Sequence, residues 1–78
     1  MAVLDIATTV DARGLSCPMP IVKTAQAAKT LTSGALVEVL ATDPGSQKDF
    51  VAWCRQTGNE LVDQSVDGTV YRFVIRRK

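Results

Sequence analysis

Apolar and polar positions alternate over Ile6-Ala7-Thr8-Thr9-Val10-Asp11. Ile6, Thr8 and Val10 fall on one side and β-branched residues dominate, so the stretch predicts a first strand. The period then changes. From about Pro18 to Leu31, Ile21, Ala25 and Ala28 recur at helical spacing, flanked by Val22, Thr24 and Leu31, with Lys23, Gln26 and Thr30 opposite. Ser33-Gly34 is the expected stop, because glycine suits a left-handed cap. Ala35 to Ala41 is an apolar run broken only by Glu38, the pattern of a central strand. Thr42-Asp43-Pro44-Gly45-Ser46 is a turn cluster, with Ser46 expected to cap a helix from Gln47 to Gln56. Phe50 and Cys54 lie on that helix's centre line, with Val51 and Trp53 at its edges. Thr57-Gly58-Asn59 ends it. Glu60–Val66 and Thr69–Arg77 read as two strands joined by Asp67-Gly68, a strong hairpin signal. Tyr71, Phe73 and Ile75 should face the helices, with Val70 and Val74 on the open side.

The order is β-α-β-α-β-β. Strands separated by helices should run parallel, and the final hairpin must add an antiparallel strand. The expected fold class is α/β (α+β): a two-layer sandwich with two helices on one face of a four-stranded mixed sheet, one domain spanning residues 1–78.

Composition narrows the chemistry. The chain has 78 residues, a formal net charge of +1 and 46% hydrophobic residues, which excludes intrinsic disorder and gives no general drive toward nucleic acid or membrane. No apolar window is long enough to span a bilayer. Met1 to Val10 has no basic residue ahead of an apolar run, so it does not read as a secretory signal. Two cysteines are too few for a disulfide scaffold, and a complete protein of the reducing cytoplasm is expected. With no histidine, no Cys-His pair, Ser-His-Asp triad or imidazole zinc site can be built. No metal and no cofactor are expected.

The candidate chemistry lies in Cys17-Pro18-Met19-Pro20. Prolines are tolerated in a first helical turn, so Cys17 reads as a residue at a helix N-terminus. The partial positive charge there favours thiolate and should lower the thiol pKa. Pro18 and Pro20 lack an N–H, so the free donors near the sulfur should be those of Met19 and Ile21, with that of Cys17 itself. The bland alternative is a small buried cysteine whose prolines merely start a helix, although the polar loop before it argues for exposure. Cys54, four residues after Phe50 on the apolar stripe, reads as core packing. The two cysteines lack Cys-x-x-Cys spacing, so a redox dithiol is poorly supported.

Asp11-Ala12-Arg13-Gly14-Leu15-Ser16-Cys17-Pro18-Met19-Pro20 resembles the signature of the TusA (SirA-like) family of small sulfur carriers: an Asp, a Gly-Leu, then Cys-Pro-x-Pro. Ala41–Ser46, Gln56–Asn59 and Phe73–Lys78 resemble that family in register, so the likeness covers essentially the whole chain. The resemblance implies the same two-layer sandwich. It also implies a sulfurtransferase that works as a protein-to-protein carrier, not as a multiple-turnover enzyme on its own. Cys17 would accept sulfane sulfur as a persulfide and pass it on. The implied donor is a cysteine desulfurase or a rhodanese, and the acceptor a DsrE/TusD-like or similar protein. The relay would serve either dissimilatory sulfur oxidation or tRNA thiolation and molybdenum-cofactor synthesis.

The amides of Met19 and Ile21 are expected to hold the persulfide anion. Arg13, Gly14, Pro18, Pro20, Asp43 and Pro44 are motif and docking candidates. Arg13 would add positive potential near the sulfur or be an ordinary loop charge. Asp43-Pro44-Gly45-Ser46 would form a docking rim at the same sheet end or be simply a turn and cap. A monomer with no membrane contact is expected. The second reading is an RNA-binding or regulatory module using Arg72, Arg76, Arg77 and Lys78. Without a stacking aromatic set, direct nucleic-acid binding is disfavoured.

Overall fold

The computed structural model describes residues 5–78; Met1–Leu4, part of the stretch read for a secretory signal, lie outside it. The elements are β1 (Ile6–Ala12), α1 (Met19–Lys29), β2 (Leu36–Ala41), α2 (Ser46–Thr57), β3 (Glu60–Asp67) and β4 (Val70–Arg76). The β-α-β-α-β-β order is the expected one. One sheet runs β1-β2-β4-β3. β1 and β2 are parallel, with Ala12 opposite Ala41. β4 is antiparallel to both β2 and β3, so the hairpin inserts its second strand beside β2.

The two helices cover one face of this sheet. Val10, Ala12, Val37, Val39, Ala41, Phe73 and Ile75 from the strands meet Phe50 and Cys54 from α2 in one buried cluster, with Leu15, Ile21, Leu31, Trp53 and Tyr71 packed around it. Phe50 stacks on Phe73 at 4.6 Å between ring centroids and meets Trp53 edge-on. Offset stacking and edge-on contacts are the favoured aromatic geometries. Val74, which alternation puts on the helix-free face, is nonetheless fully buried. Leu36 and the ion pairs of Glu38 and Asp63 with Arg72 share that face.

Four local expectations are corrected. The buried line of α1 is Pro20, Thr24 and Ala28, while Val22 is exposed. Thr24 serves as a core residue because its hydroxyl donates to Pro20 O at 2.8 Å, which satisfies its polarity within the helix. Helix α1 ends at Lys29, before Ser33-Gly34; Gly34 instead donates its N–H to Arg77 O, in the turn that feeds β2. The hairpin loop is Gly68-Thr69, one residue later than expected, with Asp67 opposite Val70. Gly68 takes φ 63° and, among the described residues, no non-glycine residue has positive φ, the pattern of a type II′ turn. Lastly, Ser46 is not a cap. It is the first residue of α2, after Gly45, and its hydroxyl is buried without a hydrogen-bond partner.

Candidate functional site

The register of β1 on β2 builds the site. Ala12 and Ala41 are paired and each ends its strand, so the loops that follow must lie side by side at the same sheet end. They are stitched together. Gly14 N–H donates to Thr42 Oγ1 at 2.9 Å, and Cys17 N–H donates to Asp43 Oδ2 at 3.2 Å. Leu15 N–H donates to Ala12 O, and the Leu15 side chain packs against the core as the loop's anchor. Gly14 has φ 78°, a left-handed conformation that costs glycine little. Cys17 therefore stands exposed at the mouth of α1, while Cys54 is buried; neither forms a disulfide. The Cys17–Pro18 peptide is cis.

The helix start differs from the donor count drawn from sequence. Met19 N–H donates to Ser16 O at 2.9 Å and is not free. Cys17 N–H is held by Asp43. Ile21 N–H has no assigned acceptor among the described residues, so it alone remains of the amides expected to face an anion. Pro18 is exposed, and Pro20 is buried.

The electrostatics run opposite to expectation. The Cys17 thiol is pushed above its ordinary pKa, first by the Asp49 carboxylate across the cleft, then by partial desolvation and by the charges of Asp49 and Asp43. The helix end carries only about half an elementary charge, and two full negative charges close by outweigh it. Arg13 does not offset them. Its guanidinium is engaged with Asp11 through Nε at 2.8 Å and Nη2 at 3.0 Å, and holds that carboxyl down at about 2. Lys23 Nζ donates to Asp11 O. Pro44 is exposed on the rim of the β2–α2 loop.

Beside Cys17 is an open cleft of about 240 Å³, lined by Cys17, Pro18, Ile21, Asp49, Ala52, Trp53 and Gln56. Roomier hollows occur elsewhere, including one of about 460 Å³ by Lys29, Arg77 and Lys78 at the helix C-termini. The smaller cleft is the chemically relevant one because it alone among them contains the exposed thiol. Sequence reasoning missed Asp49 as a site residue. The available signal was the stripe Asp49, Ala52, Trp53, Gln56 at i, i+3, i+4 and i+7, which must lie along one side of α2.

Cys54 matches its packing assignment: it is 4% exposed, and burial pushes its pKa up to about 11. The three C-terminal arginines are engaged within the protein. Arg72 pairs with Glu38 and Asp63, Arg76 pairs with Glu60, and the Arg77 guanidinium donates to Ala28 O and Lys78 O. Among the described residues, no cluster of three or more acidic, histidine or cysteine side chains could hold a metal, and no helix is long and apolar enough to cross a membrane.

The sequence profile of sulfurtransferase TusA matches residues 8–77. The chain is 42% identical over 73 residues to the sulfur carrier protein TusA of Allochromatium vinosum, covering 94% of this chain and 96% of that one. It is 38% identical over 68 residues to TusA of Pseudomonas putida, covering 87% and 85%. The crystal structure of a SirA-like protein from Desulfitobacterium hafniense superposes with a TM-score of 0.77 at 25% identity, covering 88% of this chain and 95% of that one. This chain belongs to the TusA sulfurtransferase family.

Proposed function

We propose that the chain, residues 1–78, is one sulfur-carrier domain in which Cys17 holds sulfane sulfur as a persulfide. The observation that carries this reading is the contrast between the two thiols: Cys17 is exposed at the sheet end where both βα loops converge, and Cys54 is sealed in the core. Loading exchanges one sulfur–sulfur bond for another. Cys17 Sγ attacks the outer sulfur of a donor persulfide, and the donor's own sulfur–sulfur bond breaks. The Cys17 proton ends on the donor thiol, and the transferred sulfur remains on Cys17 as an anion. No oxidant and no separate base are needed, in keeping with a chain that has no histidine. Unloading repeats the exchange with the acceptor's thiol.

Family membership supports a relay between a sulfur-donor and a sulfur-acceptor protein; in this reading the donor is a cysteine desulfurase or rhodanese, the acceptor a DsrE/TusD-like protein, and the carrier a monomer. Two unpaired cysteines support a reducing, cytoplasmic setting. The relay served is either dissimilatory sulfur oxidation or tRNA thiolation with molybdenum-cofactor synthesis. The test is intact and peptide mass spectrometry after incubation with a desulfurase and cysteine. One added sulfur on Cys17, absent from Cys17→Ser, is the expected result. Sulfur retained on Cys54 instead, or on neither cysteine, overturns the reading.

A further inference from the structure

The geometry of the cleft says more than that Cys17 is reachable. Asp49 lines the cleft with Cys17, one helix over from the loop that presents the sulfur. Asp43 reaches the same place from the β2–α2 loop and accepts from Cys17 N–H. A Cβ built on Gly45 would lie 3.5 Å from Asp43 Oδ2 and 3.8 Å from Asp49 Oδ2, so the two carboxylates share the space over that glycine. The charged groups acting on the thiol are Asp49 from α2 and Asp43 from the β2–α2 loop. No cation of the β1–α1 loop or α1 acts on the thiol: Arg13 is paired with Asp11, and the Lys23 ammonium lies against Asp11 O. A nucleophilic cysteine acted on by two carboxylates and by no cation is the reverse of the usual activated thiol, which sits beside a positive charge.

We propose that Asp49 is a positioning residue for sulfur transfer: its carboxylate, backed by Asp43, accepts from the Cys17 thiol in the unloaded carrier and repels the persulfide anion in the loaded one, so the cleft favours handing sulfur on over keeping it. The inference rests on the reading that Cys17 carries sulfur. It follows from the charge difference between the two states. The unloaded side chain is a neutral thiol with a proton to donate, and a carboxylate is a strong acceptor for it. The loaded side chain has lost that proton to the donor, because a persulfide is a stronger acid than its parent thiol. It then presents an anion to the same carboxylates, and like charges at close range disfavour the ionised state. Of the two amides the sequence had offered the anion, that of Met19 is taken by Ser16 O, and only that of Ile21 has no backbone acceptor among the described residues.

The test uses the full chain, its Asp49→Asn, Asp49→Glu and Asp43→Asn variants, and two readouts. In the first, the pH profile of Cys17 alkylation by iodoacetamide is followed by peptide mass, which requires no sulfur transfer. In the second, each protein is equilibrated with glutathione persulfide and glutathione at neutral pH, and the fraction carrying one extra sulfur on Cys17 is measured. Asp49→Asn should move the alkylation midpoint down by roughly half a pH unit or more, about threefold more thiolate at a fixed pH below the midpoint. It should also raise the loading equilibrium constant several-fold. Asp43→Asn should move both in the same direction by less, and Asp49→Glu, which keeps the charge, should stay near the native profile. An unmoved midpoint in Asp49→Asn overturns the inference, as does an unmoved or lowered loaded fraction. A Glu variant that shifts as far as the Asn variant shows that shape and not charge is at work, and overturns it too. If the native chain loads no sulfur on Cys17, the carrier reading falls and takes this inference with it; normal loading that is indifferent to Asp49 leaves the carrier reading standing.

Discussion

In the native protein, Cys17 should be alkylated at least about a hundredfold faster than Cys54, and the structure supplies the factor. Alkylation runs through the thiolate. Cys54 can react by two routes. In the closed molecule burial holds its pKa at about 11, so at pH 8 roughly one molecule in a thousand carries the thiolate, and the residue is only 4% exposed. In the opened molecule the pKa returns to the ordinary range, but α2 must first leave the sheet. Even an opening free energy of about 4 kcal/mol, the low end for a chain of this size, limits that route to about one molecule in a thousand. Neither route brings Cys54 near the rate of a side chain standing in solvent.

The assay is a time course with excess iodoacetamide at pH 8, quenched with thiol and read by peptide mass, in buffer and in denaturing urea. In urea the two cysteines should converge to within a few-fold, because the difference belongs to the fold. Native Cys17 should also react more slowly than Cys17 in urea, since Asp49 and Asp43 suppress its thiolate only when the loops are assembled. Native rates for the two cysteines within tenfold of each other would refute the burial argument. A native Cys17 faster than the unfolded one would refute the electrostatic argument and restore the helix-end effect as dominant.

Three further outcomes are expected. Phe50→Ala removes a fully buried ring stacked on Phe73, and the loss should be about 3–5 kcal/mol by urea titration of Trp53 fluorescence; a cost below about 1 kcal/mol would contradict the packing account. On acidification, the carboxyls of Asp11 (about 2, beside Arg13) and Glu38 (lowered by Arg72, then by Thr9) stay ionised in the fold after their unfolded counterparts protonate. Their stabilisation is therefore present above about pH 4 and lost as the pH falls toward 2, so the melting temperature should drop across that window, with the exposed Asp11 share shrinking in high salt. A flat profile would show that neither pair matters. Arg72→Gln should cost about 0–1 kcal/mol, because it breaks partly exposed pairs with Glu38 and Asp63, and should leave RNA retention in a filter assay at its native level. Salt-sensitive RNA binding that the substitution abolishes would revive the nucleic-acid reading.

The elements were legible because each carries a short-range signal. Two helices with Phe50 and Cys54 on the centre line of the second, an apolar β2 and a final hairpin all follow from period, glycine and proline. The errors fall where one residue's partner lies beyond the local pattern. Thr24 looked like a flanking polar residue until its hydroxyl found Pro20 O, after which it could occupy the core line. Val22 has the apolar character of a core residue but points outward. Ser46 has the chemistry of a cap, but Gly45 takes that position and the close approach of α2 to the sheet buries the hydroxyl. The basic character of the last strand was legible, whereas its pairing was not. Glu38 is 34 residues from Arg72 in sequence, and only the β2–β4 register brings them together.

The candidate site divides along the same line. Cys17, its exposure and the nearness of Asp43 were within reach, because two parallel strands must put their following loops at one end of the sheet. The sign of the electrostatics was not. Counting amides lost to proline identifies which donors the helix start lacks, but it cannot see Ser16 O turn back to take the Met19 N–H. Counting charge near Cys17 along the chain finds Arg13 four residues away, but Asp11 is two residues from Arg13 and pairs with it first, through Nε and Nη2. What then governs the sulfur is Asp49, 32 residues on, delivered by the packing of α2 against the mouth of α1. A helix dipole is a fixed property of any helix, so it cannot distinguish a loaded carrier from an empty one. A carboxylate that accepts from a thiol and repels an anion can, and a protein that must both take sulfur and give it away needs that distinction more than it needs a reactive thiolate at rest.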